Sequence, residues 1–247
     1  MTQLSYRPGD LAIAPSDADG GAGGAASARL RLDAVLHRAV LRDLDRLTSV
    51  LAGPVTAIRR SALIGHVTFL TGELRRHWQL QDELIWPRAV ADDPSLAGAA
   101  DQVRDDHLAA AAQCAGLVTA AERWARVGDA EHRLLVLDAV REVAAVLAAV
   151  FERDGDVTAV ALGALTSQDW AATDRGVVRR RRRRRRRPTT LARELFWLLD
   201  ELDAASAAVL LADVPPLRMW VLRNGFSGGY NRGSYLMWVG GGLGVPV

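Results

Sequence analysis

Apolar residues recur at three- and four-residue spacing along four long stretches of the first 165 residues, and no stretch alternates apolar with polar as a strand would. Leu36, Val40, Leu44, Leu47 and Leu51 mark the first stretch, Ala28 to Leu51, which Gly53-Pro54 ends. The second runs from Ile58 to Trp86 and stops at Pro87. The third covers Ser95 to Val127, with Ser95 at the N-cap position. The fourth spans Ala130 to Leu165, and Gly155 is a point where it bends or breaks. Each helix has one stripe to bury, and short connectors make successive helices antiparallel neighbours. The expected fold is therefore all-α: an up-down four-helix bundle over residues 28–165, followed by a helical extension over 166–247.

Residues 1–27 hold Pro8, Pro15 and a run of Gly and Ala with little to bury, so they are expected to be a disordered tail. In the extension, Thr166 reads as the N-cap of a short helix with Trp170. Pro188, Thr189 and Thr190 precede a helix from Leu191 to Ala212, which Pro215-Pro216 breaks. Leu217 to Arg223 reads as helical and the remainder as glycine-rich. The Leu and Trp content of this region predicts that it packs on the bundle.

All 31 basic residues are arginine, and nine of them form the unbroken run Arg179–Arg187. Without those nine charges the formal +2 becomes −7, so the remainder of the chain is acidic. Nine adjacent like charges repel, and the run reads as a solvated linker. Its functional alternative is non-specific attraction to nucleic acid or anionic lipid. No aromatic residues interleave it, so specific nucleic-acid binding is not expected. The single cysteine, Cys114, excludes an intramolecular disulfide and reads as a small core residue. With no secretory signal at the N-terminus and no uninterrupted apolar run near the roughly 20 residues of a membrane span, a cytoplasmic protein is expected. Phosphate-binding loops, nucleophile elbows and Cys-x-x-Cys motifs are absent, which leaves no case for a hydrolase or nucleotide enzyme.

The chemistry-bearing residues sit on the apolar stripes. His37 shares a face with Val40, Leu41 and Leu44, and His77 with Leu70, Glu73, Gln81 and Leu84. His107 aligns with Val103, Ala111 and Cys114, and Asp154 with Val143, Leu147, Val150 and Val157. A bundle would bring these four side chains into one interior, where desolvation without a partner is costly and where helical proteins build metal sites. Nitrogen and carboxylate donors together suit iron, zinc or manganese. His66 lies about 16 Å from His77 along the axis at about 1.5 Å per residue and belongs elsewhere. His66 and His132 read as structural or exposed histidines.

The stretches "VLHRAVLRDLDRL" around His37, "ELRRHWQLQDELIWPRA" around His77, "RDDHLAAA" around His107 and "LAAVFERD" ending at Asp154 resemble the hemerythrin-like (HHE cation-binding) proteins. "LTSQDWAA" resembles the start of a C-terminal helical extension carried by some of them. The resemblance covers residues 28 to 240. It implies non-haem iron, often an oxygen-bridged pair, between four antiparallel helices, and a role in binding or sensing a small ligand such as dioxygen rather than a defined turnover. By that pattern His37, His77 and His107 match ligands, and Asp154 the last carboxylate. The chain departs from it at Gln81, which stands at the bridging glutamate position, and at Val150, which stands at the fourth-helix histidine position. Ala111, four beyond His107, cannot coordinate. The expectation is a single ion held by His37, His77, His107 and Asp154, with Gln81 as a weak oxygen ligand and Glu73 as a substitute carboxylate. The alternative is a metal-free bundle acting as a protein-interaction module.

Overall fold

The computed structural model describes residues 22–166, 168, 169, 172, 188–211 and 216–239, and among these the structure is all-helical, without strands. Residues 1–21, Trp170, the arginine run and Pro215 lie outside the described residues, together with the expectations placed on them. No helix among the described residues is long and apolar enough to cross a membrane.

Helix α1 covers Ala22–Leu51, beginning before the expected Ala28 because the alanine-rich lead-in is good helix material despite its two glycines. Helix α2 covers Ala57–Leu80, and the Thr56 hydroxyl at its N-cap accepts the Arg59 N–H at 3.3 Å. The chain does not stop at Pro87. A π-helical turn, Gln81–Ile85, continues α2 into a short helix α3, Trp86–Asp92, whose first turn holds the proline. The Trp86 N–H bonds Gln81 O, five residues back, and this widened turn carries the helix past a residue that has no N–H to give.

Helix α4 covers Ala97–Val127. Its expected cap, Ser95, lies instead inside a 3-10 turn, Pro94–Leu96. That turn is capped by Asp93, whose carboxylate accepts the Ser95 N–H at 3.0 Å and hydroxyl at 2.6 Å, and it leads into α4 with Leu96 at the N-cap position. Pro94 explains the shift, since proline favours the first position of a helical turn and places its cap one residue earlier. Gly128 ends α4 with φ of 82°, a left-handed conformation that glycine adopts without strain. Helix α5, Ala130–Ala164, runs through Gly155 unbroken, because a single glycine costs only about 1 kcal/mol against the packing on either side.

Helix α5 packs along both α1 and α4, and α4 packs along α2. One apolar core joins all four, with Leu44, Leu47, Leu63, Leu70, Leu117 and Leu147 each at most 1 % exposed. At about 2 kcal/mol for each fully buried leucine, these stripes supply the main drive for association. A smaller cluster of Ile85, Trp86, Ala89, Val103 and Leu162 seals the end where α3 meets α4 and α5.

The extension differs from its sequence reading in one place. The helix expected from Leu191 to Ala212 is two helices, α6 (Pro188–Leu199) and α7 (Ala204–Leu211). Glu201 separates them at φ of 62°, and Asp203 restarts the helix by accepting the Ser206 N–H at 2.8 Å. Among the described residues, the region beyond Arg223, read only as glycine-rich, continues the helix expected from Leu217: α8 covers Pro216–Trp238. Trp197, Leu198 and Met237 from the extension join the main core, as its composition predicted.

One buried carboxylate fastens the extension down. Asp43 on α1, with no exposed surface, accepts from the Trp197 indole N–H at 2.8 Å, the His66 Nε2–H at 2.7 Å and the Arg42 Nε–H at 2.8 Å. Arg46 adds a 3.3 Å contact and pairs with Asp200 at 2.7 Å. Burial, the largest influence on Asp43, opposes its ionisation, but His66 and Arg42 outweigh it and lower the pKa. Asp43→Ala should destabilise the protein by about 3–5 kcal/mol in urea denaturation, because it leaves buried donors and a cation unpaired. A loss below about 1 kcal/mol would show that the extension is held by apolar packing alone.

Candidate metal centre

A further buried carboxylate, Asp154, comes from α5 and is 2 % exposed. Around it stand His37 from α1, His77 from α2 and His107 from α4, so each helix of the main core contributes one side chain. His37, His77 and Asp154 each offer one ligand atom, and the three atoms lie within 4.8 Å of one another. His37 Nε2 is 3.3 Å from His77 Nε2 and 3.9 Å from Asp154 Oδ2. His107 Nε2 is 4.0 Å from the same carboxylate oxygen.

Each ring is held from behind or on its face. His37 stacks on Phe151, with centroids 3.9 Å apart and planes within 5°. His107 stacks on Trp78 at 5.3 Å, and its Nδ1–H donates to Asp82 at 3.0 Å. His77 turns Nδ1 toward Asp33 at 3.7 Å. A carboxylate behind an imidazole fixes its tautomer and presents the other nitrogen as a lone pair. Thr158, one turn beyond Asp154, donates to its Oδ1 at 2.7 Å and leaves Oδ2 facing the histidines.

Gln81 is fully buried at the same place, with its amide nitrogen 3.5 Å from Asp154 Oδ2. Its carbonyl oxygen and His107 Nε2 are buried without a hydrogen-bond partner among the described residues. Such groups forfeit their hydration unless something polar meets them. Glu73 is not brought into the centre: it is buried, but its carboxylate is taken by Arg76 one turn on, at 3.0 Å to Nε and by a second contact to Nη2. Val150 is part of the apolar core and contributes no donor. Two residues that sequence reasoning passed over, Asp33 and Asp82, stand behind the ligating rings. Asp33 lies one turn before His37 but backs His77, and Asp82 directly follows Gln81 but backs His107; both pairings run between helices, so no local sequence signal marked them.

The electrostatics follow from burial opposed by neighbours. Desolvation is the strongest influence on Asp154 and raises its pKa, yet His107, the Thr158 hydroxyl and His77 outweigh it and hold the carboxyl at about 2. Desolvation also leads at His107 and lowers its pKa, but Asp154 and Asp82 reverse the outcome and raise it. The 4.0 Å separation of His107 and Asp154 is too long for a hydrogen bond, so their interaction is one of charge. The arrangement thus favours a positive charge between the rings and the carboxylate. His66 and His132 lie outside it: His66 bonds Asp43, and His132 donates its backbone N–H to the helix-capping Asp129 at 2.8 Å. Cys114 is buried in the apolar core, and burial pushes its thiol up to about 11, which leaves it unreactive.

The donors fit a metal ion in kind and spacing. Two imidazole nitrogens bound at about 2.0–2.1 Å to one tetrahedral ion stand about 3.3 Å apart, which is the His37–His77 separation of 3.3 Å. Asp154 Oδ2 is the third donor of this group; His107 Nε2, 4.0 Å from that oxygen, lies outside the set whose atoms all fall within 4.8 Å of one another, so three of the four expected donors are brought together and His107 stands at the edge. No family model, curated protein or solved structure matches the chain.

The depressed pKa of Asp154 gives a pH signature. Its ionisation adds stability that is fully present above the ordinary value of 3.8 and is lost as pH falls through about 2. The difference corresponds to about 2 kcal/mol. In metal-free protein, the stability gap between wild type and Asp154→Asn should shrink by about 2 kcal/mol from about pH 5 to about pH 2 in urea denaturation. A gap independent of pH would mean that the neighbouring histidines do not hold the carboxylate ionised.

Proposed function

We propose that the chain is a hemerythrin-like, up-down four-helix bundle that binds one non-haem iron through His37, His77, His107 and Asp154, for sensing or binding rather than turnover. The single observation that carries the reading is the convergence of donor atoms from separate helices at metal-ligand spacing, two of them 3.3 Å apart. Bound iron would supply a redox-responsive cation able to meet a small ligand such as dioxygen. His37, His77 and His107 would supply neutral nitrogens, Asp154 the compensating charge, and Gln81 a weak carbonyl donor. Asp33 and Asp82 would orient two of the imidazoles from behind.

A single ion fits this chain better than a pair. A second ion would need the ligand that Val150 cannot give and the bridging carboxylate that Gln81 replaces. Glu73, the nearest substitute in sequence, is engaged by Arg76. The same Val150 favours a second reading, a metal-free bundle that presents its surface to a protein partner, since a buried valine improves packing where a donor would sit.

Elemental analysis of untagged protein, purified without chelator and reconstituted anaerobically with ferrous iron, separates the two. About one iron per chain is expected, falling below about a tenth in His77→Ala with the helical circular dichroism unchanged. Less than about a tenth of an equivalent in the reconstituted wild type would leave the metal-free reading standing. Zinc or manganese at one equivalent in place of iron would keep the site and change its ion.

A further inference from the structure

A cavity of about 530 Å³ lies between α2, α6 and α8, on the side of the molecule where the extension meets the main core. Its volume falls in the range of small-molecule pockets, about 300–1,000 Å³. Three helices line it: α2 with Phe69 and the buried His66, α6 with Arg193 and Trp197, and α8 with Phe226 and Tyr230. Each of the three helices contributes at least one aromatic ring to the walls, and no acidic residue is among the described residues that line it.

The pocket is open to solvent, and four of its lining positions carry no side chain, three of them exposed. Gly225, Gly229 and Gly233 follow one another at four-residue spacing on α8, and Gly65 lies opposite on α2. A Cβ added to any of the four would meet nothing within 4 Å. No close backbone approach or turn therefore calls for glycine at these positions, and each costs its helix about 1 kcal/mol relative to alanine. Their physical effect is to keep the space open.

One cation faces into that space. Arg193 is half-buried, with its guanidinium 4.1 Å above the Phe69 ring and Nη2 3.5 Å from His66 Nδ1. No carboxylate among the described residues pairs with it, whereas Arg42 and Arg46 on the adjacent surface are both paired with acids. His66 gives its Nε2–H to Asp43, so its other nitrogen faces the cavity as an acceptor and leaves the charge of Arg193 uncompensated. Arg232, exposed at the rim, adds a second positive charge. A planar guanidinium set against an aromatic wall binds a carboxylate through two parallel hydrogen bonds.

We propose that this cavity binds a small carboxylic acid with an apolar or aromatic body. The carboxylate pairs with Arg193, and the body occupies the space left by the glycines, between the Phe69, Trp197 and Phe226 rings. The site is separate from the metal centre and does not depend on metal being bound there.

Isothermal titration calorimetry on the full chain, with 2-naphthoate and octanoate set against their uncharged amides, tests this. At least one carboxylate should bind with its amide about tenfold or more weaker, and Arg193→Gln should weaken the carboxylate by about tenfold while sparing the amide. Gly229→Leu should abolish binding by filling the cavity, with a melting temperature equal to or above wild type because the helix gains propensity. His77→Ala should bind the carboxylate as wild type does, which separates this site from the metal reading. The proposal is overturned if neither carboxylate binds, if acid and amide bind alike, or if folded Gly229→Leu retains wild-type affinity.

Discussion

Two arrangements in this fold turn on the cost of enclosing a carboxylate in an apolar helical interior, those of Asp43 and Asp154, the two most deeply buried acids among the described residues. Asp43 and Asp154 are each at most 2 % exposed, and each lies beside at least one histidine. The protein answers the same cost in two ways. Around Asp43 the hydrogen bonds are direct and numerous: an indole N–H, an imidazole N–H and an arginine all donate at 2.7–2.8 Å. That carboxylate is saturated, and its partners come from α1, α2 and α6, so it functions as the clasp of the extension. Around Asp154 only Thr158 donates at short range, while His37 and His107 remain at 3.9 and 4.0 Å. The contrast within one molecule separates a saturated structural ion cluster from a centre in which the carboxylate and the histidines stand at charge-interaction distance, a spacing that would suit a cation between them.

Much of the candidate centre was legible because helical periodicity turns sequence position into a face. His37, His77, His107 and Asp154 lie on their apolar stripes, and once those stripes face inward the four side chains have nowhere else to meet. Periodicity has no such power over what happens between helices. Nothing local in "LRDLDRL" says that Asp43 is paired with a histidine on another helix and a tryptophan 154 residues away. Glu73 lies on the right face, yet Arg76 at a spacing of three captures it, a pairing that competes with any metal and that stripe counting alone ignores. The α8 glycines mislead in the other direction. Glycine content argues for irregular chain when judged by propensity, whereas packing of Leu222 and Met237 on the interior overrides a penalty of about 1 kcal/mol at each position.

The π turn at Gln81–Ile85 connects these levels most closely. Proline 87 is an obstacle to an α-helix, and the sequence reading took it as the end of one. The observed solution inserts a wider turn just before it, so that the Trp86 N–H reaches back to Gln81 O. The consequence is felt at the centre rather than at the proline. With the backbone widened, two successive residues serve the same site: Gln81 reaches Asp154 at 3.5 Å, and Asp82 reaches His107 at 3.0 Å. Adjacent residues on a regular helix point about 100° apart and do not converge in this way. The motif "QDELIWP" therefore acts as one physical unit, in which the proline compels the distortion and the distortion aims an amide and a carboxylate at a histidine and an aspartate on two other helices. Its backbone cost is met by the apolar cluster that follows, since Ile85, Trp86 and Ala89 are all at most 1 % exposed and clamp the far side of the turn.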